Sequence, residues 1–232
     1  MPIAGETQLI ADAITDEVGS NIPNPPSGND LWALTKSGAG TLVLSGTNGY
    51  AGLTTVSGGI LRVTSDNTSS SGTSVAAGAT LTGDGSIKYL DDFGTLAPGT
   101  STNSTGILQV YGLIFLEGGA LSCFHADAVG NSSRLLVTPY INQLLDGTAT
   151  LAGLARIDFK GSPLPGAQYL LVSAGIIGTF SGFETNVAGL VGQLNYSPSQ
   201  VTFSVTANET IYGNGFEEPS ASQSACAAAF AH

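Results

Sequence analysis

Few side chains in this 232-residue chain could catalyse a reaction. The histidines are His125 and the last residue, His232. A Ser-His-Asp arrangement would therefore depend on His125, which lies in "SCFHADAVG" with Asp127 two residues later. We favour the alternative of a surface histidine at the start of a loop. G-x-S-x-G, H-E-x-x-H, C-x-x-C and P-loop motifs are also missing, so we predict no catalytic residue.

Carboxylates are concentrated in "GDGSIKYLDDF", which contains Asp84, Lys88, Asp91 and Asp92. Several carboxylates that hold calcium, together with a base that abstracts a proton, are the equipment of polysaccharide lyases. In an extended strand Asp91 and Asp92 point to opposite faces and cannot converge. A solvated turn is the favoured interpretation. We expect no metal site and no cofactor.

The two cysteines, Cys123 and Cys226, are far apart in the sequence. Two cysteines give no disulfide framework, so a bridge between them stays an open alternative. We favour a buried thiol at Cys123, in "ALSCFHA", and an incidental thiol at Cys226 in the C-terminal tail.

Aromatic side chains could bind sugars if they were aligned on one face. The candidates are Trp32, Tyr50, Tyr89 and Tyr111, and the three tyrosines fall in different predicted coils. The favoured interpretation is that each is a local cap or core residue.

The charge of the chain limits its partners. Its net charge is −11, and its six basic residues are scattered along the sequence. Phosphate backbones and anionic lipids need a basic patch, so we expect no nucleic-acid partner. No apolar run approaches the ~18 residues of a membrane-spanning helix, and the first residues do not form a signal peptide, so we expect no membrane insertion by this chain.

Alternation of apolar and polar residues predicts strands along nearly the whole chain. Weak helical periodicity is confined to 8–18, 139–147 and the alanine-rich tail. Segments 40–53, 54–67 and 73–86 have similar content, and a repeat of ~20 residues is typical of stacked coils. In such a solenoid glycine supplies the sharp corners, and threonine and serine form hydroxyl ladders on the outer faces. The strand segments are "TLVLSG", "TTVSGGILRV", "SVAAGATLTG", "GILQVYGLIFLEGGALSCF", "RLLVTP", "ATLAGLARIDFKG", "QYLLVSA", "QLNYS" and "VTFSVTA".

The pattern changes after about residue 165. Ser197-Pro198-Ser199, between two alternating segments, predicts a hairpin. Because a solenoid must cover its open edge, we interpret this region as a terminal cap. The predicted organisation is a lead-in segment (1–30), a β-helix region (31–165) with a repeat at 34–63, a C-terminal cap or hairpin (166–207) and a flexible low-complexity tail (208–232).

The segment "LTKSGAGTLVLSGTNGYAGLTTVSGGILRV" (34–63) resembles the autotransporter-associated β-strand repeat of Gram-negative bacteria. Its pattern is roughly L-x-K-x-G-x-G-T-L-x-L-S-G-x-N-x-Y-x-G-x-T-x-V-x-x-G-x-L. A weaker resemblance to passenger segments extends over most of 34–205. The residues that would define the repeat are Lys36, Gly38, Gly40, Leu42, Leu44, Gly46, Asn48, Tyr50, Thr54, Val56, Gly59 and Leu61.

The resemblance implies an all-β chain that folds as a right-handed parallel β-helix, the exported part of an autotransporter. The residues themselves add the C-terminal strand cap. We expect an extracellular or surface-displayed, non-catalytic passenger that acts in adhesion or self-association, with a host or matrix surface, a polysaccharide or itself as partner. The alternatives are a secreted, lyase-like carbohydrate-active β-helix and an inactive passenger fragment. Since the chain ends at His232 without the alternating strands of a translocator, we expect no secretion through a barrel of its own.

Overall fold

The described residues form strands throughout and one helix. The structure is a computed structural model that describes residues 4–16, 31–140, 147–208 and 221–230. The elements in chain order are β1 (Thr7–Ile10), β2 (Leu34–Lys36), β3 (Thr41–Leu44), β4 (Thr54–Val56), β5 (Ile60–Val63), β6 (Asp66–Asn67), β7 (Thr73–Val75), β8 (Thr80–Gly83), β9 (Ser86–Asp92), β10 (Thr95–Pro98), β11 (Ile107–Leu116), β12 (Leu121–Asp127), β13 (Arg134–Thr138), β14 (Thr148–Leu151), β15 (Leu154–Lys160), β16 (Gln168–Ser173), β17 (Gly175–Gly178), β18 (Gly182–Thr185), β19 (Leu190–Ser197), β20 (Gln200–Asn208) and α1 (Ala221–Phe230).

The strands form two sheets, and the chain passes back and forth between them. Sheet 1 has eight strands in the order β1-β3-β5-β8-β10-β12-β15-β18. Sheet 2 has twelve strands, and its main path is β19-β20-β16-β13-β11-β9-β7-β4-β2. Up to β18, neighbouring strands of each sheet run parallel. The predicted all-β parallel β-helix is therefore confirmed.

Leucines stacked from coil to coil build the core. Leu42 pairs with Leu61, Leu61 with Leu81, and Leu81 with Leu96, and all four side chains are buried. The first two steps span 19 and 20 residues, which agrees with the predicted repeat of ~20. Later coils are longer: Ala155 in β15 lies 33 residues after its partner Ser122 in β12.

One weak helical prediction is wrong. The start of the helical candidate 8–18 belongs to β1 (Thr7–Ile10), which pairs with β3. The backbone hydrogen bonds offered by the edge of sheet 1 outweigh a short apolar periodicity. Most of the second candidate, 139–147, lies outside the described residues.

An antiparallel hairpin occupies the C-terminal end of sheet 2. β19 and β20 pair across the turn at Ser197–Gln200, and β20 pairs antiparallel with β16. The hairpin predicted at Ser197-Pro198-Ser199 is confirmed. Its inner face completes the core, since Val201, Phe203 and Val205 are buried.

The C-terminal segment is not a loose tail throughout. Ala221–Phe230 forms α1, which packs on sheet 1 against β8, β10 and β15. The flexible tail predicted for 208–232 is therefore wrong for this segment. Residues 209–220 and 231–232 lie outside the described part of the chain. A ten-residue helix is marginal on its own, so its packing on the sheet stabilises it.

Candidate functional surfaces

The corner between β2 and β3 is organised around Lys36, whose side chain is fully buried. Its Nζ donates hydrogen bonds to the carbonyl oxygens of Ser37 (3.2 Å), Gly38 (2.8 Å) and Gly58 (2.9 Å). Burial lowers the pKa of Lys36. Since Gly58 belongs to the next coil, the ammonium group joins two successive coils.

The repeat also contains residues that suit tight turns. Gly59 has φ +65°, and a side chain there would approach the carbonyl oxygen of Gly40 at 2.5 Å. Asn48 is buried, and its Oδ1 accepts a hydrogen bond from the backbone N–H of Ile14 (2.9 Å). The remaining repeat residues in the turns around β3 or in the core are Gly38, Gly40, Leu42, Leu44, Gly46, Val56 and Leu61.

Tyr50 belongs to a buried polar network and not to a sugar-binding face. Its hydroxyl lies 2.6 Å from Thr54 Oγ1 and accepts a hydrogen bond from Asn67 Nδ2 (2.9 Å). Thr54 Oγ1 also lies 3.2 Å from Ser70 Oγ. Burial raises the pKa of Tyr50. The network links consecutive coils, because Tyr50 and Thr54 lie inside the segment 34–63 and Asn67 and Ser70 follow it.

His125 is not a loop residue, so that expectation is wrong. It lies within β12, and its ring stacks on Phe230 of α1 with 3.7 Å between the ring centroids. Burial lowers the pKa of His125 to about 4. The Asp127 carboxylate accepts hydrogen bonds from the backbone of Val129 and Asn131. His125 is thus part of the interface with α1.

The carboxylates of "GDGSIKYLDDF" do not converge. Asp92 is fully buried and its Oδ1 accepts a hydrogen bond from Gly94 N (3.0 Å), whereas Asp91 is half-buried on the outer face of β9. The prediction that the two point to opposite faces is confirmed, but the solvated turn favoured for this segment is wrong, because Asp91 and Asp92 lie in strand β9. Burial raises the pKa of Asp92 to about 7, and the nearby Asp91 carboxylate adds to this rise. Asp84 accepts a hydrogen bond from Asn103 Nδ2 (3.0 Å).

No metal centre is formed within residues 4–16, 31–140, 147–208 and 221–230. There, no group of three or more histidine, cysteine or acidic side chains is arranged to hold an ion. In the same residues no helix has the length and apolar character needed to cross a membrane.

A disulfide bond joins Cys123 of β12 to Cys226 of α1. The favoured interpretation of two free thiols is wrong. The outward position of Cys123 in sheet 1 brings it beneath the helix, where a small apolar cluster excludes water. Both cysteines are buried together with Ala97, Ala229 and Phe230. We call α1 with its disulfide the latch.

The latch covers the middle of the outer face of sheet 1, where it packs against β8, β10 and β15. Arg62, which pairs with Val43 of β3 and Thr82 of β8, is only 7% exposed although it points outward. Its Nη2 lies 3.5 Å from the carbonyl oxygen of Ala229, near the C-terminal end of α1. A cation at this position is favourable for the helix dipole. The latch therefore keeps a partner away from this part of sheet 1.

The outer face of sheet 2 is different. Thr35, Thr55 and Ser74 pair in register on β2, β4 and β7 and form the predicted hydroxyl ladder. The same column continues through Asp91 to Phe115 of β11, which is 45% exposed. We call this exposed surface, from β2 to β17, the ladder face.

Apolar side chains interrupt the ladder face. Beyond Phe115 the column passes through Thr150 to Ile177, which is 49% exposed. Leu53 is also exposed, and beside Phe115 lies an open depression of about 770 Å³. Sequence analysis missed Leu53, Phe115 and Ile177. The continuous apolar run of β11 was the available signal, because it places apolar residues on both faces of one strand.

The remaining aromatic candidates are scattered. Trp32 is 56% exposed and precedes β2. Tyr111 is half-buried on β11 and pairs with Lys88 of β9. Tyr89 lines the depression beside Phe115, so of the four aromatic candidates it is the one that joins the exposed apolar side chains there.

The sequence of the Lys36 corner has known counterparts. Residues 34–63 match the model of the passenger-associated-transport-repeat family. This segment is an autotransporter passenger repeat. The buried lysine, the Gly59 turn, Tyr50 and Thr54 all lie within the matched residues, and a passenger repeat implies secretion or surface display. No curated protein matches the chain significantly.

Proposed function

We propose that this chain is a non-catalytic, exported or surface-displayed passenger module that adheres through its ladder face. The observation that carries the proposal is the difference between the two outer faces. The latch packs over β8, β10 and β15 of sheet 1, whereas sheet 2 presents aligned hydroxyls on β2, β4 and β7. The passenger repeat supports the location of the module outside the cell.

A non-catalytic role agrees with where the reactive groups lie. His125 is stacked against Phe230, and Asp92 is fully buried. Asp92 therefore has no access to a substrate, and the half-buried His125 ring is held against Phe230 as part of the interface with α1.

Adhesion through the ladder face would depend on many weak contacts. A ligand with repeating hydrogen-bonding groups meets a new strand of sheet 2 every ~4.8 Å along the stack. Contacts that are weak singly become strong when several form at once. The partners that suit this surface are a host or matrix surface, a polysaccharide or a second copy of the chain. The net charge of −11 disfavours nucleic acid.

Lysine substitutions along the ladder test the adhesive role. In Thr55→Lys/Ser74→Lys/Thr150→Lys, long cationic side chains replace outward hydroxyls on three strands of the ladder face. The control, Thr47→Lys/Ser69→Lys/Thr102→Lys, adds the same charge at exposed positions in turns. We expect adhesion to a matrix-coated surface to be lost in the first variant and kept in the second, with unchanged circular dichroism in both. Equal adhesion of the two variants would refute the proposal.

Two further measurements test location and the absence of catalysis. Peptide mapping of culture supernatant, outer-membrane and cytoplasmic fractions should find the chain in one of the first two. A cytoplasmic location would contradict the proposed display. Calcium-dependent cleavage of polygalacturonate that disappears in Asp91→Ala would instead establish the lyase-like alternative.

A further inference from the structure

The depression on the ladder face has a lining unlike the rest of that face. It lies between two neighbouring outward columns of sheet 2, one through Leu53 and Tyr89 and the other through Ser74 and Phe115. Leu53 and Phe115 are 44% and 45% exposed. We call this depression the aromatic groove. Its lining residues are Leu53, Ser71, Gly72, Thr73, Ser74, Tyr89, Leu90, Asp91, Leu113, Phe115 and Glu117.

A bulge in the sheet holds Tyr89 in the groove. Its φ is +41°, and among the described residues it is the one non-glycine residue with a positive φ. The register of β9 and β11 shifts between Tyr111 and Ile114, next to Gly112 with φ +102°. The Tyr89 ring occupies the space that a Cβ on Gly112 would fill. Such a conformation is strained for a residue other than glycine, and bulges of this kind serve to re-aim a side chain.

Neighbouring aromatic and cationic groups support Tyr89 from the side. Its ring meets the edge of the Tyr140 ring with 6.2 Å between centroids. Lys88 Nζ lies 4.0 Å from the Tyr140 centroid and 5.3 Å from the Tyr89 centroid. The Lys88 ammonium is thus directed at these rings and is not among the residues that line the groove.

The groove carries negative charge and hydroxyls beside its apolar side chains. Asp91 and Glu117 line it, and its described lining includes no lysine, arginine or histidine. Carboxylates and hydroxyls accept hydrogen bonds from sugar hydroxyls, and aromatic and aliphatic side chains pack on the apolar faces of sugar rings. We propose that the aromatic groove binds an uncharged polysaccharide. This proposal rests on the adhesive function proposed above and names its ligand class.

Charge selects this ligand over other occupants. Acidic polysaccharides and anionic membranes would meet Asp91 and Glu117 without a compensating cation in the groove. A second copy, also with a net charge of −11, would bring like charges together. A cationic peptide would suit the carboxylates but has no counterpart for the aligned hydroxyls of the ladder face.

The groove continues into a path that a linear polymer could follow. Phe115 pairs with Thr150, and Thr150 pairs with Ile177, so two exposed apolar side chains stand two strands apart in one column. At ~4.8 Å per strand, a polymer laid along the stack would contact Phe115 and Ile177 about 10 Å apart. Phe115 therefore lies near the middle of the binding path.

Affinity electrophoresis of the folded chain tests the proposal. The gels contain hydroxyethylcellulose, xyloglucan or galactomannan as uncharged probes, and polygalacturonate as the acidic one. We expect at least one uncharged polymer to retard the protein and polygalacturonate not to do so. Phe115→Ala should weaken retardation about tenfold, as for a central contact residue. Phe93→Ala removes a phenylalanine of the same exposure (44%) outside the groove and should bind like the wild type.

A substitution at the bulge separates ring loss from backbone strain. Tyr89→Asn removes the ring, and asparagine tolerates a left-handed conformation. We expect this variant to stay folded, as judged by its thermal transition, and to lose retardation like Phe115→Ala.

Several results would contradict the proposal that the aromatic groove binds an uncharged polysaccharide. The proposal fails if no uncharged polymer retards the protein, or if Phe115→Ala and Phe93→Ala are retarded equally. It also fails if the groove binds oligolysine or forms the interface of a dimer instead. If the triple-lysine ladder variant alone loses adhesion and Phe115→Ala binds like the wild type, the adhesive function stands and the groove fails. If Phe115→Ala loses retardation while adhesion survives the ladder substitutions, the groove stands and the adhesive function fails.

Discussion

At the scale of single residues, the interior of the β-helix accepts two ionisable groups in one column. Lys36 pairs with Val56, Val56 with Val75, and Val75 with Asp92, so the lysine and the aspartate lie at positions of the same inward-facing row. Their environments differ. Three carbonyl oxygens accept the protons of Lys36 Nζ, whereas Asp92 Oδ2 has no hydrogen-bond partner.

Lys36→Met should destabilise the protein by roughly 3 kcal/mol. The substitution keeps an unbranched side chain but leaves three carbonyl oxygens without the charged donor that satisfied them. The midpoint and slope of urea unfolding measure the loss. Lys160→Met, at an exposed lysine, is the matched control and should change stability by less than about 0.5 kcal/mol. Equal effects of the two substitutions would show that the Lys36 hydrogen bonds are not a main support of the corner.

Asp92→Asn should stabilise the protein at neutral and alkaline pH. The pKa of Asp92 is about 7 in the folded protein and near 3.8 in the unfolded chain. Between these values the folded state retains a proton that the unfolded state has lost, so stability falls as pH rises from about 4 to about 7. Asparagine removes this loss and keeps an oxygen for Gly94 N. The gain at pH 8 should reach up to ~4 kcal/mol and should vanish near pH 4.

The effect of pH on stability must be compared between variants, because a second group, His125, changes the stability in the opposite direction. The pKa of His125 is lowered by burial to about 4, so protonation of the unfolded chain reduces stability as pH falls from 6.5 toward 4. Thermal unfolding of wild type, Asp92→Asn and the exposed-site control Asp12→Asn at pH 4, 6 and 8 isolates the Asp92 contribution. A pH-independent difference between wild type and Asp92→Asn would contradict the buried, protonated carboxyl.

At the scale of elements, the latch is held by a covalent bond and a small cluster. The sequence separation of the bridged cysteines is 103 residues. In the loop-entropy account, a disulfide that closes a loop of this length raises the free energy of the unfolded chain by about 4–5 kcal/mol, because it restricts the conformations of that chain. Two noncovalent contacts add to the disulfide. The Phe230 ring packs against the His125 ring, and the carbonyl oxygen of Ala229 lies near Arg62 Nη2.

The double variant Cys123→Ala/Cys226→Ala should lower the thermal transition by about 10 °C, given 2–4 °C per kcal/mol for a chain of this size. The strands should remain folded, because β8, β10, β12 and β15 pair independently of α1. Calorimetry and circular dichroism measure both effects, and limited proteolysis should then cut within α1. Phe230→Ala, which keeps the disulfide, should show a smaller shift. An unchanged transition and continued protection of α1 would mean that noncovalent contacts alone hold the latch.

At the scale of the whole molecule, stacked coils make each sheet a ladder in which a coil contacts mainly its neighbours. The antiparallel hairpin β19–β20 occupies one end of sheet 2 and pairs its inner strand with β16. Such a hairpin blocks further parallel addition to β16, which limits edge pairing with other chains. The two outer faces therefore differ, since the latch packs on the outer face of sheet 1 and the outer face of sheet 2 is exposed.

Much of this architecture could be read from local patterns. Alternation along "TLVL" and "ILRV" placed Leu42, Leu44, Leu61 and Val63 inside, and the spacing of similar segments predicted the first coil lengths. The repeat residues were recognisable because the turn glycines and Lys36 stand at the spacing of the repeat pattern. The aromatic groove was harder to predict from the sequence. Of its lining residues only Tyr89 was among the aromatic candidates, and the position of Tyr89 depends on a register shift between β9 and β11.

Local patterns predicted a solenoid of stacked coils, because strand period, turn glycines and coil spacing are properties of short segments. The resemblance of residues 34–63 to a passenger repeat added the parallel β-helix. Local patterns did not show that Cys123 meets Cys226, that α1 packs on sheet 1 or that Tyr89 and Phe115 share a groove. These are contacts between residues that are distant in the sequence, and they depend on coil lengths and registers that no local window contains. The interior row that contains both Lys36 and Asp92 has the same cause, since stacking places together residues that strand alternation alone treats separately.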